Sequence, residues 1–149
     1  MSLKSQITED MKSALKAGDK SRLKVVRLML AAIKQVEVDK RVELDDTAVL
    51  AVLTKMVKQR RDSIEQFEKG GREDLARIER DEITILEDYL PEMLAPEELS
   101  EMVDEVIRET GAESIRDMGK VMAQIKVKAA GRADMGALSA SVKERLNAL

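Results

Sequence analysis

LKSQITEDMKSALKAGDKSRLKVVRLMLAAI, residues 3–33, decides the fold class. Leu3, Ile7, Met11 and Leu15 recur every four residues, a single apolar stripe that ends at Gly18. Asp19 then stands where an N-cap belongs, ahead of a second stripe of Leu23, Val26, Leu30 and Ile33. Each stripe predicts an amphipathic helix with one face to bury.

The pattern continues along the chain. VDKRVELDD (38–46) is polar enough to be a connection, and Asp45 or Asp46 can cap the next helix. That third helix carries Val49, Leu53, Met56, Val57, Ile64 and Phe67 up to a stop at Gly70–Gly71. A fourth follows from about Arg72, with Leu75, Ile78, Glu82, Ile85, Leu86 and Tyr89 ahead of Pro91. Four helices with short connections predict a bundle.

YLPEMLAPEEL (89–99) marks a boundary, because Pro91 and Pro96 interrupt helical continuity and place a hinge at about Leu90–Pro96. Pro96 suits the first turn of a fifth helix carrying Leu99, Met102, Val103, Val106 and Ile107, which stops near Gly111. Ser114 and Asp117 form an S-x-x-D capping signature for a sixth. Its apolar face is Met118, Val121, Met122 and Ile125, and Gly131 ends it. Asp134 or Ser139 can open a seventh, with Leu138, Val142, Leu146 and Leu149 facing inward. The expectation is an all-α chain: a bundle of about four helices over 1–92, then a small three-helix domain over 93–149.

Composition points the same way. Phe67 and Tyr89 are the only aromatics, so the core must be aliphatic. Charged residues make up 37% and prolines occupy two positions, a profile that favours helices over sheets. The absence of cysteine removes disulfides and thiolate chemistry and is compatible with a reducing cytoplasm. MSLKSQITEDMKSALK has no continuous apolar region of the signal-peptide kind, and no run approaches the ~20 apolar residues of a membrane span. A cytoplasmic protein without a membrane is expected.

Charge is segregated along the chain. Residues 1–90 carry 18 basic and 18 acidic side chains, 91–114 carry one and eight, and 115–149 carry seven and three. An acidic helix therefore precedes a basic tail. Attraction between neighbouring helices is one reading, and a basic surface for phosphate backbones is the other.

Catalytic inventories fail. With no histidine or cysteine, the commonest general base and the thiol nucleophile are missing. Neither G-x-x-x-x-G-K-[ST] nor G-x-G-x-x-G occurs, and Gly119-Lys120 shares only a dipeptide with a phosphate loop. Glu79, Asp81, Glu82, Glu87 and Asp88 have the chemistry to hold a hard metal, but a solvated helix face accounts for them. Lys55, Lys58, Arg60 and Arg61, the densest basic cluster of the bundle, read the same way, with RNA contact as their functional alternative. No catalytic residue, metal or cofactor is expected.

DMGKVMAQIKVKAAGRADMG (117–136) is harder to reduce to packing. Its methionines can fill gaps in a small core. Gly119 costs ~1 kcal/mol against alanine in a helix, and close approach of another backbone or a ligand would explain it. Lys120, Lys126, Lys128 and Arg132 lie on or beside this helix and its exit, Arg132 in the loop between Gly131 and Asp134. Without stacking aromatics, backbone and shape recognition of a folded RNA suits such residues better than reading splayed bases. No DNA binding is expected.

KQRRDSIEQFEKGGREDLA (58–76), YLP (89–91), DMGKVM (117–122) and GRAD (131–134) resemble the GatB/YqeY family, specifically its stand-alone YqeY-like members. The resemblance covers essentially the whole chain. Ala123 stands where a glycine is common, and Ala95 where Ser or Thr often caps the fifth helix. The resemblance implies a helical bundle followed by a small three-helix domain, similar to the C-terminal part of the B subunit of the tRNA-dependent amidotransferase. That enzyme converts Glu-tRNA to Gln-tRNA, or Asp-tRNA to Asn-tRNA, using ammonia from glutamine. Its helical tail contacts tRNA, whereas kinase and transamidation chemistry lies in a preceding cradle domain and glutaminase chemistry in another subunit. The implied function is therefore tRNA binding or association with tRNA metabolism, with tRNA or a tRNA-modifying or aminoacylation enzyme as partner. Glutamine-dependent carbon–nitrogen ligase activity is a family association, not a property of residues present in this chain. A protein-interaction adaptor that keeps the fold without binding RNA is the alternative.

Overall fold

The computed structural model describes residues 2–149, and the described residues are all-α. The helices are α1 (Leu3–Ala17), α2 (Lys20–Lys40), α3 (Asp46–Lys69), α4 (Glu73–Glu87), α5 (Pro96–Thr110), α6 (Met118–Lys128) and α7 (Met135–Asn147). A 3-10 turn, Ile115–Asp117, precedes α6. The chain divides into two compact units between Leu90 and Pro91.

Local chemistry sets the helix ends. Gly18, at φ 70°, closes α1, and the Asp19 carboxylate accepts the Arg22 N–H at 3.1 Å to open α2. Asp45 and Asp46 divide two tasks. Asp45 caps α3 by accepting the Ala48 N–H at 2.9 Å, while Asp46 accepts the Leu3 N–H at 2.9 Å and ties the starts of α3 and α1 together. In the first unit Ile7, Val25, Val26, Met29, Ile33, Val49, Leu53 and Leu86 form the buried aliphatic core.

Four expectations need correction. Leu15 is 58% exposed, and Ala14 is buried in its place. At ~100° per residue, each four-residue step advances the azimuth by ~40°, so Leu15 has rotated well away from Ile7, whereas Ala14 stays within ~20° of it. Ile78 and Leu149 are exposed as well; Ala76 takes the buried position on α4, and Leu149 lies beyond the end of α7. The segment expected to connect α2 and α3 is helical through Lys40, and Arg41 at φ 54° ends it. Glu37 accounts for that extension. From the last turns of α2 it takes Lys4 Nζ at 2.9 Å and the Leu44 N–H at 2.9 Å, which holds its carboxyl below the usual range.

Glu82 is the one buried charged residue among those described. Arg60 Nε on α3 donates to it at 2.8 Å, and Lys24 Nζ on α2 lies 3.2 Å from its other oxygen. Arg60 also donates to the Met56 carbonyl at 3.3 Å. At the end of α4, Tyr89 donates its O–H to Asp10, while Arg22 pairs with Asp88 at 3.0 Å and lies 5.8 Å from the Tyr89 ring centroid. These contacts join α1, α2 and the C-terminus of α4.

In the second unit, α5, α6 and α7 pack around Val103, Val106, Val121, Ile125, Leu138, Val142 and Leu146. Met102, Met118 and Met122 are half-buried against this core, a gap-filling role. Gly111, at φ 68°, ends α5. At its start, Glu98 accepts the Ala95 N–H at 3.1 Å, but alanine has no oxygen to complete a capping box.

Glu82→Ala should destabilise the protein by about 2–4 kcal/mol, because it leaves the mostly buried Arg60 without its closest partner; urea unfolding reads this directly. Burial, reinforced by the hydrogen bond to Asp10, pushes the Tyr89 phenol up to about 12. The folded value exceeds the unfolded one, so this contribution is complete below about pH 10 and disappears as pH rises through about 12. The stability gap between wild type and Tyr89→Phe should narrow across that interval in thermal melts.

Candidate functional site

The turn into α6 is built by two side chains. Ser114 Oγ accepts the Arg116 N–H at 3.3 Å, and Asp117 Oδ2 accepts those of Glu113 at 2.8 Å and Ser114 at 3.3 Å. The two backbone donors hold the Asp117 carboxyl below its usual range. Val121 and Ile125 then face the core, and the opposite side of α6 is solvent-exposed.

The four candidate cations of this region separate into two kinds. Lys128 turns toward α5, with Nζ 3.0 and 3.1 Å from the Glu109 oxygens and 3.6 Å from Glu105. The hydrogen bond holds the Lys128 ammonium above and the Glu109 carboxyl below their usual ranges. Arg132 is half-buried; its Nε donates to the Glu92 carbonyl at 3.0 Å, and its own carbonyl accepts the Leu94 N–H at 2.8 Å. It staples the segment before α5 to the turn between α6 and α7. Lys120 and Lys126 are exposed and form no ion pair among the described residues.

Lys120 and Lys126 do not share one line. Six residues apart, they diverge by ~120° around the helix axis. Between them α6 presents Gly119, Ala123 and Val127, a low-relief strip on which Val127 is 64% exposed. Gly119 does not mark a close approach within the chain: a Cβ placed there meets no atom within 4 Å. Gly131 is different, because it is buried at φ 72° in the turn after Lys128, a conformation that only glycine adopts without strain.

Attraction between neighbouring helices accounts for part of the charge segregation. Besides Lys128, Arg145 on α7 pairs with Asp104 on α5 at 3.1 Å. The basic cluster of the first unit is mostly engaged too. Arg60 belongs to Glu82, Arg61 Nη2 lies 3.6 Å from Glu87, Lys58 is not free, and Lys55 is exposed. Four of the five acidic residues of α4 and its end whose chemistry would suit a metal are paired instead, Glu79 and Glu82 with Arg60, Glu87 with Arg61, and Asp88 with Arg22, while Asp81 is exposed. Among the described residues no group of three or more carboxylates is placed to hold a metal ion, and no helix is long and apolar enough to cross a membrane.

Sequence reasoning missed the Lys24–Glu82–Arg60 triad. Its signal was present, since Glu82 interrupts an otherwise apolar stripe on α4.

Over residues 4–146 the chain matches the profile of a family described as Yqey-like protein. It is 32% identical over 146 residues to "Altered inheritance of mitochondria protein 41, mitochondrial" of Eremothecium gossypii, covering 95% of this chain and 79% of that protein. The protein of the same name from Kluyveromyces lactis is 42% identical over 84 residues, which span 56% of this chain and 45% of the relative. For that of Vanderwaltozyma polyspora the figures are 31% over 106 residues, 69% of this chain and 57% of the relative.

The two glycines should respond oppositely to alanine. Gly119→Ala should stabilise by about 0.4–1 kcal/mol, since the position is open and helical. Gly131→Ala should destabilise by about 1–2 kcal/mol through left-handed strain. Chemical denaturation of both variants provides the comparison.

Proposed function

The chain belongs to the Yqey-like protein family, and from that premise we propose that it is a tRNA-binding helical module without catalysis of its own. Supporting this reading is one observation: on the DMGKVM helix, Lys120 and Lys126 project into solvent and form no ion pair among the described residues, the Asp117 carboxylate near Lys120 being held by the Glu113 and Ser114 N–H groups. On the neighbouring acidic helix, Asp104, Glu105 and Glu109 are taken by Lys128 and Arg145. A phosphate backbone approaching α6 therefore meets two exposed ammonium groups that no salt bridge holds. Contacts of this kind position an RNA without reading its sequence. The partner is tRNA, alone or with a tRNA-modifying or aminoacylation enzyme. Any glutamine-dependent carbon–nitrogen ligase chemistry associated with the family comes from that enzyme. The relatives' names place those proteins in mitochondria; for this chain a reducing compartment such as the cytoplasm is our reading.

A second reading, a protein-interaction adaptor, draws support from the strip of Gly119, Ala123 and exposed Val127. Small residues let another helix approach closely, and such an association depends little on salt. Binding to phosphates depends on it steeply.

Lys120→Ala with Lys126→Ala should weaken several tRNAs alike and flatten the log–log salt dependence by roughly 0.7–0.9 for each phosphate that is no longer neutralised. Folding should be unaffected, as both side chains are exposed. Arg132→Ala is a poorer probe because it also releases Glu92. A folded double variant with unchanged tRNA affinity and slope would remove α6 from the interface. Absence of wild-type binding at low salt would favour the adaptor.

A further inference from the structure

KSRLKVVRLMLAAIKQV, residues 20–36 on α2, carries five cations and no carboxylate, in a chain whose net charge is −3. The buried side of this helix is aliphatic: Val25, Val26, Met29 and Ile33. Arg22 is turned to Asp88 and Tyr89. The other four, Lys20, Lys24, Arg27 and Lys34, fall within a sector of ~80° and extend over ~21 Å of helix. Lys20, Arg27 and Lys34 are exposed and form no ion pair among the described residues, although Lys34 is near enough to Glu37 to help hold its carboxyl low. Lys24 touches Glu82 yet keeps 62% of its side chain exposed.

Like charges three and four residues apart on a helix repel by about 0.2–0.5 kcal/mol per pair. Lys20, Lys24 and Arg27 stand in that relation, and among the described residues nothing beyond Glu82 relieves it. Most carboxylates of this unit are committed elsewhere, as with Glu37 to Lys4, Glu68 and Glu73 to Arg80, and Glu87 to Arg61. The face thus complements a polyanion.

The shape of the face indicates which polyanion. A docked acidic helix needs apolar anchors spaced along a groove. Here Leu23, Leu28 and Ala31 line a shallow, open hollow among Lys20, Lys24 and Arg27, and Val38 is exposed beyond Lys34; all of these residues belong to α2, so no second element closes the hollow into a groove. A row of exposed cations along one helix, with no opposing wall to grip a partner helix, complements a phosphate backbone instead. We propose that this face of α2 is a second RNA-backbone surface, on the first unit, that contacts successive phosphates of a duplex stem. It rests on the RNA-binding reading given above and adds a site on a different helix.

The test uses the full-length protein, bulk tRNA and a 20-base-pair RNA duplex of arbitrary sequence. Lys20→Gln, Arg27→Gln and Lys34→Gln are combined, with helicity checked by circular dichroism. Lys20→Arg with Lys34→Arg serves as the charge-preserving control. The triple variant should lose duplex affinity with a log–log salt slope reduced by about 2–3, while the arginine variant matches wild type. If the triple variant misfolds, duplex binding by wild type must still be competed by excess inorganic polyphosphate and retained by the arginine variant; failure of either overturns the proposal. A folded triple variant with wild-type affinity and slope overturns the α2 surface alone, provided that Lys120→Ala with Lys126→Ala still weakens binding. No RNA binding by wild type at low salt overturns both readings together. Loss of poly-glutamate binding with RNA binding intact would reassign the face to an acidic protein and overturn the RNA assignment.

Discussion

A carboxylate removed from water must be met by charge, and Glu82 imposes that requirement on the first unit. Apolar burial is non-directional, so aliphatic stripes on α2, α3 and α4 alone would tolerate small rotations of one helix against another. Glu82 narrows the choice. Its two oxygens are met from two sides, Arg60 at 2.8 Å from α3 and Lys24 at 3.2 Å from α2. Only the arrangement that brings both cations to α4 avoids an uncompensated buried charge. The Met56 carbonyl takes a further Arg60 donor, which fixes the guanidinium relative to its own helix. Tyr89 repeats this logic at the far end of α4, where Asp10 and Arg22 hold the phenol between α1 and α2.

Internal neutralisation of this kind determines which cations remain for a partner. A formal balance of 18 basic and 18 acidic residues over 1–90 says nothing about a surface. Once Arg22, Arg60, Arg61 and Arg80 have taken carboxylates, what is left is not distributed evenly. Arginine dominates the internal pairs around α4, as its planar fork matches a carboxylate better than a lysine ammonium does. Lysines supply much of the exposed remainder, on α2 and on α6.

Most of the helical architecture is legible in residue types because it rests on local rules. Gly18 followed by Asp19, Pro96 in a first turn, and Ser114 with Asp117 each act within a few residues of where they stand. The departures are also local. A strict four-residue recurrence leads to Leu15 although the helix repeats at ~3.6 residues, and polarity alone ends α2 too early. Val38, Asp39 and Lys40 are exposed yet helical, and Glu37 just before them closes the loop by accepting the Leu44 N–H. The candidate site is less legible. Lys120, Lys126, Lys128 and Arg132 look alike in a sequence, and what separates them is the position of Glu109 and of the Glu92 carbonyl, set by helix packing and by the segment before α5.

Arg132 shows how the motif residues combine tasks. GRAD places a glycine at φ 72°, an arginine on the Glu92 carbonyl, and Asp134 as the cap of α7, accepting the Ala137 N–H at 3.2 Å. Each of these is satisfied within the second unit, so the motif is explained by folding alone. DMGKVM is not. Asp117 completes the turn, and Met118, Val121 and Met122 line the core, but no packing contact requires Gly119 and no salt bridge holds Lys120, which only adds its field to that of the two backbone donors on Asp117. A helix that gives up propensity at Gly119 and leaves the adjacent ammonium exposed without a salt bridge gains little from either in isolation. Residues without an internal reason, placed side by side on an exposed turn, are therefore where contact with another molecule has most to explain.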